Sequence, residues 1–406
     1  MEKAIIVVGL LSTLICSTAQ VHGDTLVPLT LLKSAISKGA VCLDGSAPAY
    51  SYVEGSGNGS SSWMVYLEGG AWCYTLSDCQ ARSITPFGSS KFMKPYTNFS
   101  DIMDLNCTSY PDFCTWHKVY IHYCDGSSFM SDILHLKANL SFRGARIFNV
   151  MMQEMLGKGM GNAKEAMLVG SSAGGLATML HCDKFRNLFP NTSRVKCISD
   201  SGFFLYGKDL HAHIIRKYYY GGVVKTHELA NALPTTCTSK MDLNLCLFPE
   251  YFAGDIQTPL FILESAFDSF QVRYVVGFTS CVRLTTCNST EIELMKDFRK
   301  TFIKTLFGLK NSSSRGMFVH SCYRHGHFPF SETSISLANK TIREAIADWY
   351  YDRSYSRELD TQHESPQDCS IHSFVPKPLN KHSLTSLPHN RLCFILCSFL
   401  LVFLVV

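Results

Sequence analysis

Charge is scarce in this sequence: 17% of its 406 residues are Asp, Glu, Lys or Arg, and the formal net charge is +4. The lysines and arginines are scattered rather than clustered, which leaves no electrostatic footprint for nucleic acid. No internal repeat is evident between residues 24 and 375. Tight CxxC spacing is also missing: Cys73/Cys79, Cys107/Cys114, Cys237/Cys246 and Cys281/Cys287 are spaced unlike the ligand pairs that structural zinc prefers. Nor is there a comfortable membrane span. The run AIIVVGLLSTLIC after Lys3 is too short, and so is the terminal LCFILCSFLLVFLVV of 15 residues, because a helix rises about 1.5 Å per residue against a hydrocarbon core of ~30 Å.

What is present points outward from the cell. Lys3, the apolar run and the small and polar residues to about Gly23 follow the order of a signal peptide, assigned here to residues 1–23. Of 17 cysteines, Cys16 falls in that segment and Cys393 and Cys397 fall in the apolar tail; the 14 between Cys42 and Cys369 read as a disulfide framework. Eight N-x-S/T triplets begin at Asn58, Asn98, Asn106, Asn139, Asn191, Asn288, Asn311 and Asn339, as glycosylation acceptors would. Residues 376–391 form a polar, proline-containing linker before the tail at 392–406. A removed lipid-anchor signal, with attachment at Ser370, Ser373 or Ser383, and a short membrane anchor are its two readings.

Between these ends, 24–375 is expected to be one α/β domain, since 46% of the chain is hydrophobic and its length supports a sizeable core. Apolar strands are expected at 63–68, 117–124, 165–170, 195–200, 259–265 and 316–321, and helices at 142–159, 174–189, 291–308 and 336–351. Near-continuous apolar strands alternating with amphipathic helices indicate a mostly parallel sheet covered on both faces. The stretches 75–116 and 206–250 break the alternation and are expected to be cysteine-bearing loops over one sheet edge.

The stretch LVGSSAGGL (168–176) raises the functional question. Gly170-Ser171-Ser172-Ala173-Gly174 fits G-x-S-x-G with Ser172 central, between a strand and a helix, where small neighbours let the chain turn sharply and lift the hydroxyl above the sheet. The motif alone is common by chance; its strand-to-helix context strengthens it. An acid and a histidine should follow on later strands. Asp268, just past the strand 259–265 with Glu264 near its end, is preferred as the acid. Asp200, its rival, is left a supporting or helix-capping role. Of His320, His325 and His327, the first lies within a strand, where a satisfied core histidine is the common outcome. His325 in the loop beyond is the preferred base, and His327 the fallback. LEGGAWC (67–73) follows an early strand, so the N–H groups of Gly70, Ala71 and Ala173 could stabilise an oxyanion, and Trp72 would line the acyl pocket. This chemistry calls for no metal or organic cofactor.

In the order LEGGAWC, DFCTWHKVYIHYCDGSSF, FRGARIF, GSSAGGLATMLHCDKF, SDSGFF, IQTPLFILESAFDS and SCYRHGHF, residues from about 25 to 355 resemble the plant pectin acetylesterase family, which has the animal carboxylesterase Notum as a relative. The resemblance implies an α/β-hydrolase-like fold, a triad of Ser172, Asp268 and His325, and removal of acetyl groups from cell-wall pectin by a secreted enzyme. Alternatives are a Notum-like esterase for longer acyl chains, or a glycan-binding wall protein without turnover. Three positions depart from the plant pattern: Ser171 and Gly326 replace cysteines, and Ala71 replaces a glycine.

Overall fold

The computed structural model describes residues 25–369, apart from 109, 136–137, 277–280, 282, 310–313 and 329–334. The expected signal segment, linker and apolar tail lie outside the described residues. In chain order the strands are β1 (Thr25–Leu31), β2 (Ala49–Val53), β3 (Ser62–Leu67), β4 (Tyr96–Phe99), β5 (His117–Ile121), β6 (Ile133–His135), β7 (Leu140–Phe142), β8 (Glu165–Ser171), β9 (Arg194–Asp200), β10 (Leu260–Ser265), β11 (Gly316–His320), β12 (Ser336–Leu337), β13 (Lys340–Thr341) and β14 (Arg357–Leu359). The helices are α1 (Leu76–Arg82), α2 (Gly144–Gly157), α3 (Ala173–Arg186), α4 (His213–Thr226), α5 (Thr235–Thr238), α6 (Ser269–Val276), α7 (Ser289–Gly308) and α8 (Ile342–Tyr350).

Ten strands form one sheet in the order β14-β11-β10-β9-β8-β3-β5-β2-β1-β4. Pairing is parallel from β14 to β5 and antiparallel from β5 to β4. The central strands β3 and β10 are buried at every position, as strands covered on both faces must be. Alternate side chains serve opposite layers. Val65, Leu67, Ala166, Leu168, Leu260 and Ile262 join a core with Ile147 and Phe148 of α2, Leu176 of α3 and Phe298 of α7. On the other face Phe261 meets Trp349 of α8 at 5.2 Å between ring centroids, and the Tyr350 hydroxyl donates to Ala166 O at 3.4 Å. Fold class and the six expected strands are as the sequence indicated.

Three expectations need revision. The stretch 75–116 is not only a loop: it contains α1 and sends Tyr96–Phe99 back to pair with β1 as the sheet's edge. The stretch 206–250 contains the 14-residue α4. The helix expected from 336 starts at Ile342, because Thr341 and Glu344 form a capping box that fixes the first turn there, and 336–341 is the β12–β13 hairpin. The disulfides join Cys42–Cys124, Cys73–Cys79, Cys107–Cys114, Cys182–Cys197, Cys237–Cys246 and Cys281–Cys287, while Cys322 and Cys369 are also disulfide-bonded. Four of the pairs unsuited to zinc by spacing are thus short covalent loops. Among the described residues no helix is long and apolar enough to cross a membrane.

Candidate active site

β8 ends at Ser171 and α3 begins at Ala173, so Ser172 is the lone hinge residue between them. It holds φ 58° and ψ −124°, a backbone state that costs a non-glycine residue roughly 1–3 kcal/mol and that surrounding structure must enforce. Its small neighbours make the turn sterically possible. A Cβ on Gly170 would stand 2.2 Å from Gly174 O, and one on Gly69 would stand 2.2 Å from Ser171 O and 2.9 Å from Ser172 Cβ. The Ser172 N–H donates to Asp200 O at 2.8 Å, tying the turn to β9.

Ser172 Oγ lies 2.7 Å from His325 Nε2, and His325 Nδ1 lies 2.6 Å from Asp268 Oδ2. Three side chains from three separate loops are therefore in hydrogen-bond line. Asp268 is fully buried, and its other oxygen accepts the Gln271 N–H at 2.8 Å, which fixes the carboxyl plane at the start of α6. Burial alone would lower the His325 pKa; the Asp268 carboxylate, by charge and hydrogen bond, outweighs it, with Asp200 helping, so the net shift is upward. A histidine held this way is an oriented base whose charged form is stabilised.

The turn at LEGGAWC stands against the serine. Gly70 O accepts from Arg82 Nη2 at 2.8 Å and Ala71 O accepts from the Tyr123 hydroxyl at 2.9 Å. Across each trans peptide plane the N–H that follows, of Ala71 and of Trp72, points away from the side on which Arg82 and Tyr123 hold these carbonyls. Ala71 sits at φ 54°, so the methyl that replaces a glycine hydrogen is carried in the left-handed region at a steric cost. Trp72 is 3% exposed and donates to Ser128 Oγ at 2.7 Å, which donates to Ala173 O at 2.7 Å. Its ring packs edge-on against Phe204, Tyr219 and Phe270, and Phe204 and Phe270 stand 6.2 and 5.0 Å from the His325 ring. The tryptophan thus belongs to an aromatic wall beside the histidine.

The side chains of the other candidates make their hydrogen bonds elsewhere than at the Ser172 hydroxyl. Glu264 is buried, accepts the Phe203 N–H at 2.6 Å, and has its carboxyl pKa driven well up by burial and the neighbouring Asp268. His327 pairs with Asp200 and places its Nε2 2.5 Å from His320 Nε2. His320 is the satisfied core histidine its strand position suggested, and Asp200 holds loop backbone rather than capping a helix. Ser171 and Gly326, the two departures, are neighbours: a Cβ on Gly326 would lie 3.6 Å from Ser171 Oγ. Sequence reasoning missed Arg82 and Tyr123, whose service to the glycine turn has no spacing signal. Cys73, Cys79 and His227 cluster closely enough for a metal site, but both sulfurs are spent on a disulfide.

The pectinacetylesterase family model matches residues 20–370. Pectin acetylesterase 7 of Arabidopsis thaliana is 40% identical over 86% of this chain and 94% of its own length, and pectin acetylesterase 11 is 39% identical over the same shares. This chain belongs to the pectinacetylesterase family. Membership places it among carboxylic ester hydrolases. More distantly, it is 25% identical to the palmitoleoyl-protein carboxylesterase NOTUM of Schmidtea mediterranea, over 82% of this chain and 64% of that one. A solved structure of the Wnt deacylase Notum from Drosophila superposes with a TM-score of 0.72 at 23% identity, over 84% of this chain and 98% of that one, so the fold is shared.

Proposed function

We propose that this chain is a secreted serine esterase that removes acetyl groups from cell-wall pectin. The observation that carries the reading is the strained Ser172 with its Oγ 2.7 Å from a histidine that is itself 2.6 Å from a buried aspartate. His325 Nε2 takes the Ser172 proton as Oγ bonds to the acetyl carbon. The oxyanion that forms rests on the N–H groups of Gly70, Ala71 and Ala173. His325 then protonates the sugar oxygen as its bond to the acetyl carbon breaks. Water, deprotonated by His325, hydrolyses the acetyl-serine to acetate, and Ser172 regains its proton. Asp268 keeps the imidazole in the right tautomer throughout. Secretion rests on the leader-like residues 1–23 and on the disulfides. Pectin as substrate rests on the family.

Ser172→Ala should abolish acetate release from acetylated pectin, a fall of at least ~10⁴-fold, with an unchanged melting temperature. Retained release would refute the assignment. The aromatic wall of buried Trp72 and Phe204 and partly buried Phe270 favours a short acyl group. Accordingly p-nitrophenyl acetate should be hydrolysed with a kcat/KM at least tenfold above that of p-nitrophenyl octanoate. The reverse order would support the longer-chain chemistry named for Notum, and no turnover of either would leave a binding protein.

A further inference from the structure

Immediately beneath the Ser172–His325 contact lies a second cluster of a serine, an aspartate and histidines that the mechanism does not use. Its order differs in kind. Ser171 Oγ donates to Asp200 Oδ2 at 2.6 Å, so this serine faces a carboxylate and not a base. The other Asp200 oxygen receives His327 Nδ1 and, at 3.1 Å, the Ser201 hydroxyl. Hydrogen bonding fixes the tautomers. The Cys322 N–H donates to His320 Nδ1 at 3.1 Å, so His320 carries its proton on Nε2 and gives it to His327 Nε2 at 2.5 Å. Both His327 nitrogens are then committed, which is why it cannot stand in for His325.

Asp200 is fully buried and meets two segments at once. Its backbone oxygen holds the Ser172 N–H at 2.8 Å and its side chain holds Ser171 on the nucleophile turn. On the base loop, Oδ2 accepts the N–H groups of His327 at 2.9 Å and Phe328 at 3.0 Å, while Ser201 Oγ accepts that of Gly326 at 2.9 Å. His325 sits directly before these anchored residues. We propose that Asp200 is a positioning residue: one buried carboxylate, with Ser171, Ser201 and His327 as its contacts, fixes the nucleophile turn and the histidine loop in a common frame and so sets the Ser172–His325 distance. Burial opposes its charge, but His327 and the converging donors outweigh burial and keep Asp200 ionised. The same charge adds to that of Asp268 in favouring protonated His325. A misplacement of about 1 Å can cost on the order of 10²-fold in rate, which sets the scale expected here.

The inference rests on the serine-esterase reading, and the experiment separates the two. Parent, Asp200→Asn and Ser171→Ala proteins are assayed with p-nitrophenyl acetate from pH 4 to 9, with active sites counted by a fluorophosphonate probe. Asp200→Asn removes the charge and replaces one acceptor by a donor. Per labelled site its kcat/KM should fall roughly 10- to 100-fold. The acid-limb midpoint should move to lower pH, because of the two carboxylates that favour the protonated imidazole, Asp268 and Asp200, only Asp268 would remain. Ser171→Ala keeps the charge, so kcat/KM should fall severalfold with the midpoint unmoved. A residue that merely stabilised the fold would lower the melting temperature and the number of labelled sites, leaving the per-site rate and midpoint in place; that result overturns the proposal. If Asp200→Asn does not fold, Ser171→Ala decides it: a per-site rate within twofold of the parent sinks the proposal, and a severalfold loss sustains it. Parent protein that neither labels nor turns over would instead overturn the esterase reading.

Discussion

His325 and His327 are two residues apart, and each sets Nδ1 against a fully buried aspartate, yet their surroundings assign them opposite work. The His325 side chain keeps 19% of its surface exposed while that of His327 keeps 2%. Nε2 of the first faces a serine hydroxyl and Nε2 of the second faces another imidazole. An aspartate–histidine pair is therefore not a catalytic signature in itself. What decides is the group across from Nε2, and whether the site opens to substrate. On the esterase reading proposed above, one pair serves the reaction and the other the frame that holds it.

Alanine at each histidine should separate these tasks. His325→Ala removes the base of the proposed reaction, and kcat/KM on p-nitrophenyl acetate should fall by at least ~10⁴-fold. The urea midpoint should fall as well, because the fully buried Asp268 loses its Nδ1 partner and keeps the Gln271 N–H. His327→Ala takes the Nδ1–H donor from the buried Asp200 carboxylate and leaves it the Ser171 and Ser201 hydroxyls and the N–H groups of residues 327 and 328. The cost is a cavity plus one hydrogen bond to a charged group, the latter about 1.5–3 kcal/mol. Its urea midpoint should drop strongly while the rate per labelled site falls far less than in His325→Ala. Equal losses of rate per labelled site in the two variants would erase the comparison.

How much of this was legible beforehand follows the physics of each element. Six of the seven parallel strands, all but β14, announced themselves because both faces are covered, so their sequences are mainly apolar. β1 and β4 did not: β1 carries Pro28, buries only Val27 among its seven residues, and looks like loop in one dimension. Ser172, Asp268 and His325 were legible because their chain order and the strand-to-turn context restrict the choice. The contacts of Asp200 were not, since Ser171, Ser201 and the backbone of 326–328 come together only when β8, β9 and the loop after β11 are laid side by side. The aspartate between two serines had no partner visible in sequence.

The smallest expected effect is also the one that separates the pairs by sign. His325 must be neutral to accept the serine proton, so kcat/KM should rise with pH through a midpoint above the ordinary imidazole value of 6.5, the direction that Asp268 and Asp200 impose against burial. Stability runs the other way for the same group. A histidine whose folded pKa is raised contributes stability that is fully present below about 6.5 and fades as pH climbs through the raised value. Asp200, whose folded pKa is lowered from 3.8, contributes stability that is present above its unfolded value and is lost only as the solution becomes strongly acidic. Between pH 6 and 8 the parent should gain activity, and its urea midpoint should fall relative to that of His325→Ala, since both proteins share the rise that the buried, neutral His181, His227 and His320 contribute. The Asp200 carboxylate keeps its contribution unchanged over the same interval. A parent whose urea midpoint ran parallel to that of His325→Ala across this interval would mean that the charge of His325 is not coupled to folding through Asp268 as the 2.6 Å contact requires.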